Sequence, residues 1–157
     1  MTPFLITGLP RSRTAWMAVV SGALHEPERL PLPWEGGVSD HGLSLRLAEI
    51  LETVQPRTLI IERPIHEVAR SLKAYVGNSL DLDLTRLCQG LIAMKAAMDI
   101  DHPLIKRVAF HDLNDISVVR DCLAWLGAPE PPNLPQLQHM VIQSDLGHNI
   151  DRLKRAA

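Results

Sequence analysis

The first apolar run, Pro3 to Thr7, stops at Gly8, and a short unbroken apolar segment ending in a turn residue is the pattern of a strand buried on both faces. From Thr14 the spacing turns helical through Trp16, Met17, Val19 and Val20, until Gly22, which tolerates left-handed backbone, ends the helix. Ala23 to Glu26 reads as a short extended piece. Between Pro27 and Gly37 prolines and glycines are too dense for a regular element, so this is a long loop, of the kind that can serve as a binding segment or lid, with Trp34 inside it. Asp40 stands where it can cap a helix bearing Leu43, Leu47, Ile50, Leu51 and Val54, which Gln55-Pro56 ends.

Thr58 to Glu62 is a second buried strand. Pro64 suits the first turn of a helix whose stripe is Ile65, Val68, Ala69, Leu72 and Val76, broken at Gly77-Asn78. Leu84, Leu87, Leu91, Met94 and Met98 alternate at three and four residues, a further helix; the same stripe would serve a dimer seam, although core packing accounts for it at this chain length. Ile105 to Phe110 is the last strand, and Asn114 or Asp115 caps a helix through Ile116, Val119, Leu123 and Leu126 to Gly127. A proline-rich turn, Ala128 to Pro135, leads to a polar, partly helical tail. Strands alternating with helices predict one α/β domain over residues 1–157: a small parallel sheet with helices on both faces, in three layers. In such sheets ligands gather at the carboxyl ends of the strands.

Composition narrows the function classes. The formal charge is -2 and the 16 Lys and Arg are dispersed, so no nucleic-acid surface is expected and any anion site must be locally basic. The longest apolar stretch, Ala15 to Leu24, is broken by Ser21 and Gly22 and falls short of the roughly 20 residues of a membrane span. Positive charge follows the first apolar run instead of preceding it, unlike a secretion signal, which makes the cytoplasm the expected location. Cys88 and Cys122 lack metal-ligand spacing and are read as small core residues; no metal site is expected.

The chemistry concentrates in Gly8-Leu-Pro-Arg-Ser-Arg-Thr14, between the first strand and the first helix. Amides at a helix N-terminus point at whatever fills such a turn, and the helix dipole favours an anion there. Arg11, Ser12, Arg13 and Thr14 add two cations and two hydroxyls. A Walker A loop would require glycine five residues after Gly8, then Lys and Ser or Thr. Arg13, Thr14 and Ala15 occupy those places, so the nucleotide-kinase pattern fails at each, although Glu62 at the end of the second strand could be argued as a magnesium ligand.

This segment resembles the 5′-phosphosulfate loop of the PAPS-dependent sulfotransferase family, close to Pro-Lys/Arg-Ser-Gly-Thr-Thr/Ser-Trp after a strand. A second stretch, Ile60-Ile-Glu-Arg63-Pro64 through Ser71, is similar to the family's strand-Arg-Asp-Pro segment, with the serine eight residues after the arginine. Val108-Ala-Phe-His-Asp112-Leu and Trp125-Leu-Gly127 resemble two later stretches, so the likeness runs from about Phe4 to Gly127. It implies a P-loop-like fold of sulfotransferase type, with PAPS as co-substrate and no metal. It implies Pro10, Arg11, Ser12, Arg13, Thr14, Ala15 and Trp16 around the 5′-phosphosulfate and Arg63 with Ser71 at the 3′-phosphate. Arg13 stands where the family has glycine, so the turn must adopt backbone acceptable to a Cβ; Ala15 removes a hydroxyl; Arg152, Lys154 and Arg155 only weakly match a C-terminal basic segment of some members.

The reaction implied is in-line attack by a hydroxyl or amine of a small-molecule acceptor on sulfur. Arg11 holds the place of the family's loop cation, and a guanidinium stabilises leaving-group charge without readily giving up a proton. A base must take the acceptor's proton. His25 and Glu26, just after the first helix, are the first candidates, with His41 and His111 in reserve; His66, His102, His139 and His148 are read as surface residues. A nucleotide kinase and a non-catalytic nucleotide-binding module of the same fold are the alternatives, and association into homo-oligomers stays open.

Overall fold

The computed structural model describes residues 2–28, 30, 33–76 and 84–142. Its core is a parallel sheet of β1 (Phe4–Gly8), β2 (Leu24–His25), β3 (Gly37–Ser39), β4 (Arg57–Glu62) and β5 (Ile105–Ala109), in the order β2-β3-β1-β4-β5. Between them run α1 (Thr14–Ser21), α2 (Leu47–Thr53), α3 (Ile65–Val76) and α4 (Leu84–Ala97); α5 (Ile116–Leu126) and a last helix, α6, over 134–142 follow. All four strand pairings are parallel, with β1 in register with β4 from Phe4 opposite Arg57 to Gly8 opposite Ile61.

Alternation along the strands divides the core. Phe4, Ile6, Leu59, Ile61 and Val108 face α1 and α5 through Met17, Val20, Val119 and Leu123. Leu5, Val38 and Ile60 face α2, α3 and α4 through Leu47, Ile50, Val68 and Leu91. Each such side chain, fully removed from water, contributes about 1.5–3 kcal/mol, which is why the central strands are apolar on both faces while a sheet open to solvent would alternate.

The partition has a topological consequence. The helix after β1 covers one face and leads outward toward β2; the helix after β4 covers the other and leads toward β5. Where neighbouring strands send their connections to opposite faces, a crevice opens at their carboxyl ends. Here the switch point, and with it the crevice the rule expects, falls between Gly8 and Glu62, the two positions from which the loop and the second basic segment depart. Gly8 permits the close approach, since a Cβ on it would lie 2.6 Å from the Ile61 carbonyl oxygen.

Several expectations need correction. Gly37–Ser39 is a strand inserted between β1 and β2; three residues are too few for a readable alternation, and it exists because its backbone pairs with β1 from Phe4 opposite Gly37. Asp40 does not cap one long helix: its carboxylate accepts from the Gly42 N–H at 2.6 Å at the head of a 3-10 turn over Gly42–Arg46, and α2 starts only at Leu47. Trp34 belongs to the core. It is 4% exposed and belongs to the core cluster of Leu5 and Leu47. Cys122 is buried, its thiol pushed up to about 11 by burial, whereas Cys88 is only half-buried. His102 is half-buried too, its Nδ1 accepting from the Leu104 N–H at 3.2 Å. Of the two proposed caps, Asp115 is the one used, accepting from the Ser117 N–H and hydroxyl at 2.8 and 2.7 Å, bonds that hold its carboxyl below the usual range. Gly77-Asn78, His148, Arg152, Lys154 and Arg155 lie outside the described residues.

Candidate functional site

The loop after β1 makes its turn with two non-glycine residues in left-handed backbone, Arg11 and Arg13, both at φ 63°. That conformation costs an L-residue roughly 1–2 kcal/mol. It answers the question raised by the missing glycine: Arg13 takes up the glycine-like geometry and becomes the N-cap of α1, with ψ 19° and no side-chain hydrogen bond to the helix. No acidic residue occupies the first turn of α1. Its N-terminal amides are therefore left to a ligand or water, with the positive end of the dipole facing outward. Alternating left-handed residues also turn successive N–H groups toward one concavity, a geometry suited to anions.

Ser12, between the two arginines, is 0% exposed and its hydroxyl is buried with no hydrogen-bond partner. An unsatisfied buried hydroxyl is expensive, so a ligand acceptor is the natural completion. Thr14 is buried at the first position of α1, and its carbonyl accepts from Ser39 at 2.9 Å, fastening the helix start to β3. Pro10 is half-buried and Ala15 is exposed. The Trp16 indole N–H donates to the Leu137 carbonyl at 3.1 Å, tying α1 to α6.

From across the crevice, Arg63 reaches back and donates through Nη1 to the Arg11 carbonyl at 2.5 Å. The Arg11 Nε donates to the Ser71 hydroxyl at 3.4 Å. Arg11 thus meets Arg63 and Ser71, each more than fifty residues away along the chain. Arg63 also donates to Glu67 at 3.3 Å, and Glu67 contacts the His111 Nε2 at 3.2 Å. Burial acts to raise the Glu67 carboxyl, but the hydrogen bonds from His111 and Arg63 outweigh it and hold the group below its ordinary value. Arg13 extends the other way, to the Phe110 carbonyl at 3.4 Å and Asn114 Oδ1 at 2.9 Å.

A second polar cluster lies at the ends of β2 and β3. Glu26 Oε1 is 2.6 Å from His41 Nδ1 and 3.8 Å from His25 Nε2. An ionised carboxylate only accepts, so in a neutral ring Nδ1 carries the hydrogen and Nε2 of His41 is the basic nitrogen. Glu26 holds left-handed backbone, φ 44°, beside the Ser39 carbonyl that its N–H reaches at 2.9 Å. The pair His25 and Glu26 is thus joined by the reserve candidate His41, while His111 belongs to the loop side.

Glu67, Phe110 and Asn114 were missed from the sequence. Glu67 had a signal, four residues after Arg63 on one helix face. Phe110 lay within the stretch that resembles the family and Asn114 was read only as a helix cap, but their contacts with Arg13 depend on a strand end brought against the loop. Glu62, the conceivable magnesium ligand, is paired with Arg107 at 3.0 Å, and no group of three metal-ligating side chains occurs among the described residues. No helix is long and apolar enough to cross a membrane among the described residues. Compared with family models, curated proteins and solved structures, the chain matches none.

Proposed function

We propose that this protein is a sulfotransferase of P-loop-like fold, moving a sulfonate group from PAPS to a hydroxyl or amine of a small-molecule acceptor. The observation that carries the reading is the meeting of Arg11, Arg63 and Ser71 around a loop whose Ser12 hydroxyl is buried and unpartnered. The residues fit a doubly anionic nucleotide. The uncapped α1 N-terminus, Ser12 and Arg11 would hold the 5′-phosphosulfate, and Arg63 with Ser71 the 3′-phosphate.

PAPS, when bound, supplies the activated sulfonate. The chain's own part is to hold both anions, to stabilise charge on the departing phosphate oxygen through Arg11, and to take the acceptor's proton. Glu26 lies between two imidazoles and orients His41 so that Nε2 is free to accept that proton; His25 is the second imidazole within its reach. The acceptor's oxygen or nitrogen bonds to sulfur as the sulfur–phosphate oxygen bond breaks, its proton passing to the base.

The first test is thermal shift with adenosine 3′,5′-bisphosphate in the absence of metal, against Mg-ATP. At about 100 times the dissociation constant the bisphosphate should add roughly 2.7 kcal/mol of stability and raise Tm. Stabilisation by Mg-ATP alone would turn the reading to a kinase; no shift with either at millimolar concentration would turn it to a module without nucleotide.

A further inference from the structure

Two guanidinium groups share one aromatic ring at the crevice. The Arg63 Cζ lies over Phe110 at 4.0 Å from the ring centroid, and the Arg13 Cζ at 4.4 Å. Phe110 is 5% exposed, its backbone N–H donates to the Glu62 carbonyl at 2.8 Å, and its backbone carbonyl accepts from Arg13. Phe110 is therefore bolted to the end of β4 while its face meets one arginine from the loop and one from the second basic segment.

Two like charges on one ring repel, and long flexible side chains would ordinarily move apart into water. An aromatic face attracts each cation through its quadrupole, more strongly where water is excluded. Glu67 restrains only Arg63 among the contacts above, and Asn114 only Arg13; Phe110 is the group that touches both. We propose that Phe110 is a positioning residue that sets the spacing of Arg13 and Arg63 before an anionic ligand arrives. The inference rests on the anion-binding reading of the crevice and adds to it. Arg13, besides taking up the glycine-like backbone, brings a further cation to the site, and the affinity for a polyanion depends on an uncharged ring that holds the two cations.

The obvious rival is that Phe110 is simply core, since it packs with Ile61 and Leu113. The two roles separate when the ring's electrostatics change at constant shape. Fluorinated phenylalanines placed at position 110 withdraw density from the face stepwise while preserving most of the packing. The dissociation constant of adenosine 3′,5′-bisphosphate, measured by calorimetry, should rise with each fluorine addition, reaching roughly tenfold for the pentafluoro ring, with Tm moving little. Phe110→Leu should weaken binding at least as much, and should abolish the upfield shifts that the ring imposes on the δ-protons of Arg13 and Arg63 in the NMR spectrum of the free protein. Should Phe110→Leu fail to fold, the fluorinated series carries the test. Affinity that stays flat across the series overturns the proposal. If the wild type binds pyrophosphate but not the bisphosphate, the nucleotide reading falls and the same series measured with pyrophosphate decides the positioning role. Binding of neither anion overturns both.

Discussion

The carboxyl edge of the sheet carries two polar clusters built on opposite plans. At the β1–β4 crevice an exposed Arg11 stands among more buried partners bonded across long stretches of chain: Ser12 is fully buried, Arg63 is 17% exposed, and Arg13 reaches a partner 101 residues away. At the β2–β3 end, His25, Glu26 and His41 are 36%, 43% and 35% exposed and cluster through contacts of one and fifteen residues. Exposed ion pairs add little to stability, so substitutions in the second cluster should leave the fold intact, whereas the first must be preformed to hold its geometry. The contrast is the one expected if, as proposed, the first cluster binds and the second moves a proton.

The sharpest test of that division is turnover. Glu26→Gln removes the one member that contacts both histidines, and the rate measured with a radiolabelled sulfonate donor should fall about 10²- to 10⁴-fold, with bisphosphate affinity and Tm near wild type. His41→Ala should follow it closely and His25→Ala less so. If all three keep wild-type turnover, the cluster is only a solvated surface and the base must be sought at His111.

Binding should respond on the other side of the molecule. Arg63→Ala should weaken adenosine 3′,5′-bisphosphate by about 1.5–3 kcal/mol, the range of charge-assisted hydrogen bonds, and adenosine 5′-phosphate by distinctly less. Equal losses in calorimetry would mean that Arg63 serves only to support the Arg11 carbonyl. Comparable in size is Gly8→Val, where the new side chain meets the Ile61 carbonyl 2.6 Å from its Cβ. Prising β1 from β4 should lower unfolding stability by about 1–3 kcal/mol and abolish bisphosphate binding while the β2–β3 cluster keeps its contacts. Chemical denaturation reads the first and histidine NMR shifts the second.

The smallest expected effect is in the acid limb of stability. Glu67 titrates below its unfolded value of about 4.3, so its contribution is present above that pH and is lost as pH falls through the lower folded value. Glu67→Gln should therefore show a shallower fall in Tm below about pH 4.5 than the wild type. Parallel curves would remove Glu67 from the restraint on Arg63.

Much of this was legible in the chain. The central strands announce themselves because they are buried on both faces and must be apolar throughout, and the loop because strand, tight turn, basic residues and helix start are contiguous. β3 was not legible: its three residues are a strand only because β1 offers a free edge, a property of the neighbour. Trp34 was not legible as core for a related reason, since a proline-rich loop looks solvent-facing until its aromatic residue is found in the cluster that holds Leu5.

The residue order by itself determined the central strands and most of the helices, that the loop is basic, and that Arg63 precedes and Ser71 lies within one helix, because these follow from local periodicity, dihedral preference and charge. Only the tertiary structure decided that Arg11 and Arg63 bond, that Phe110 lies against two cations, and that Glu26 pairs with His41. Those contacts form between strands that the parallel topology brings together from distant parts of the chain, and no local property of a residue encodes which neighbour a crossover will deliver.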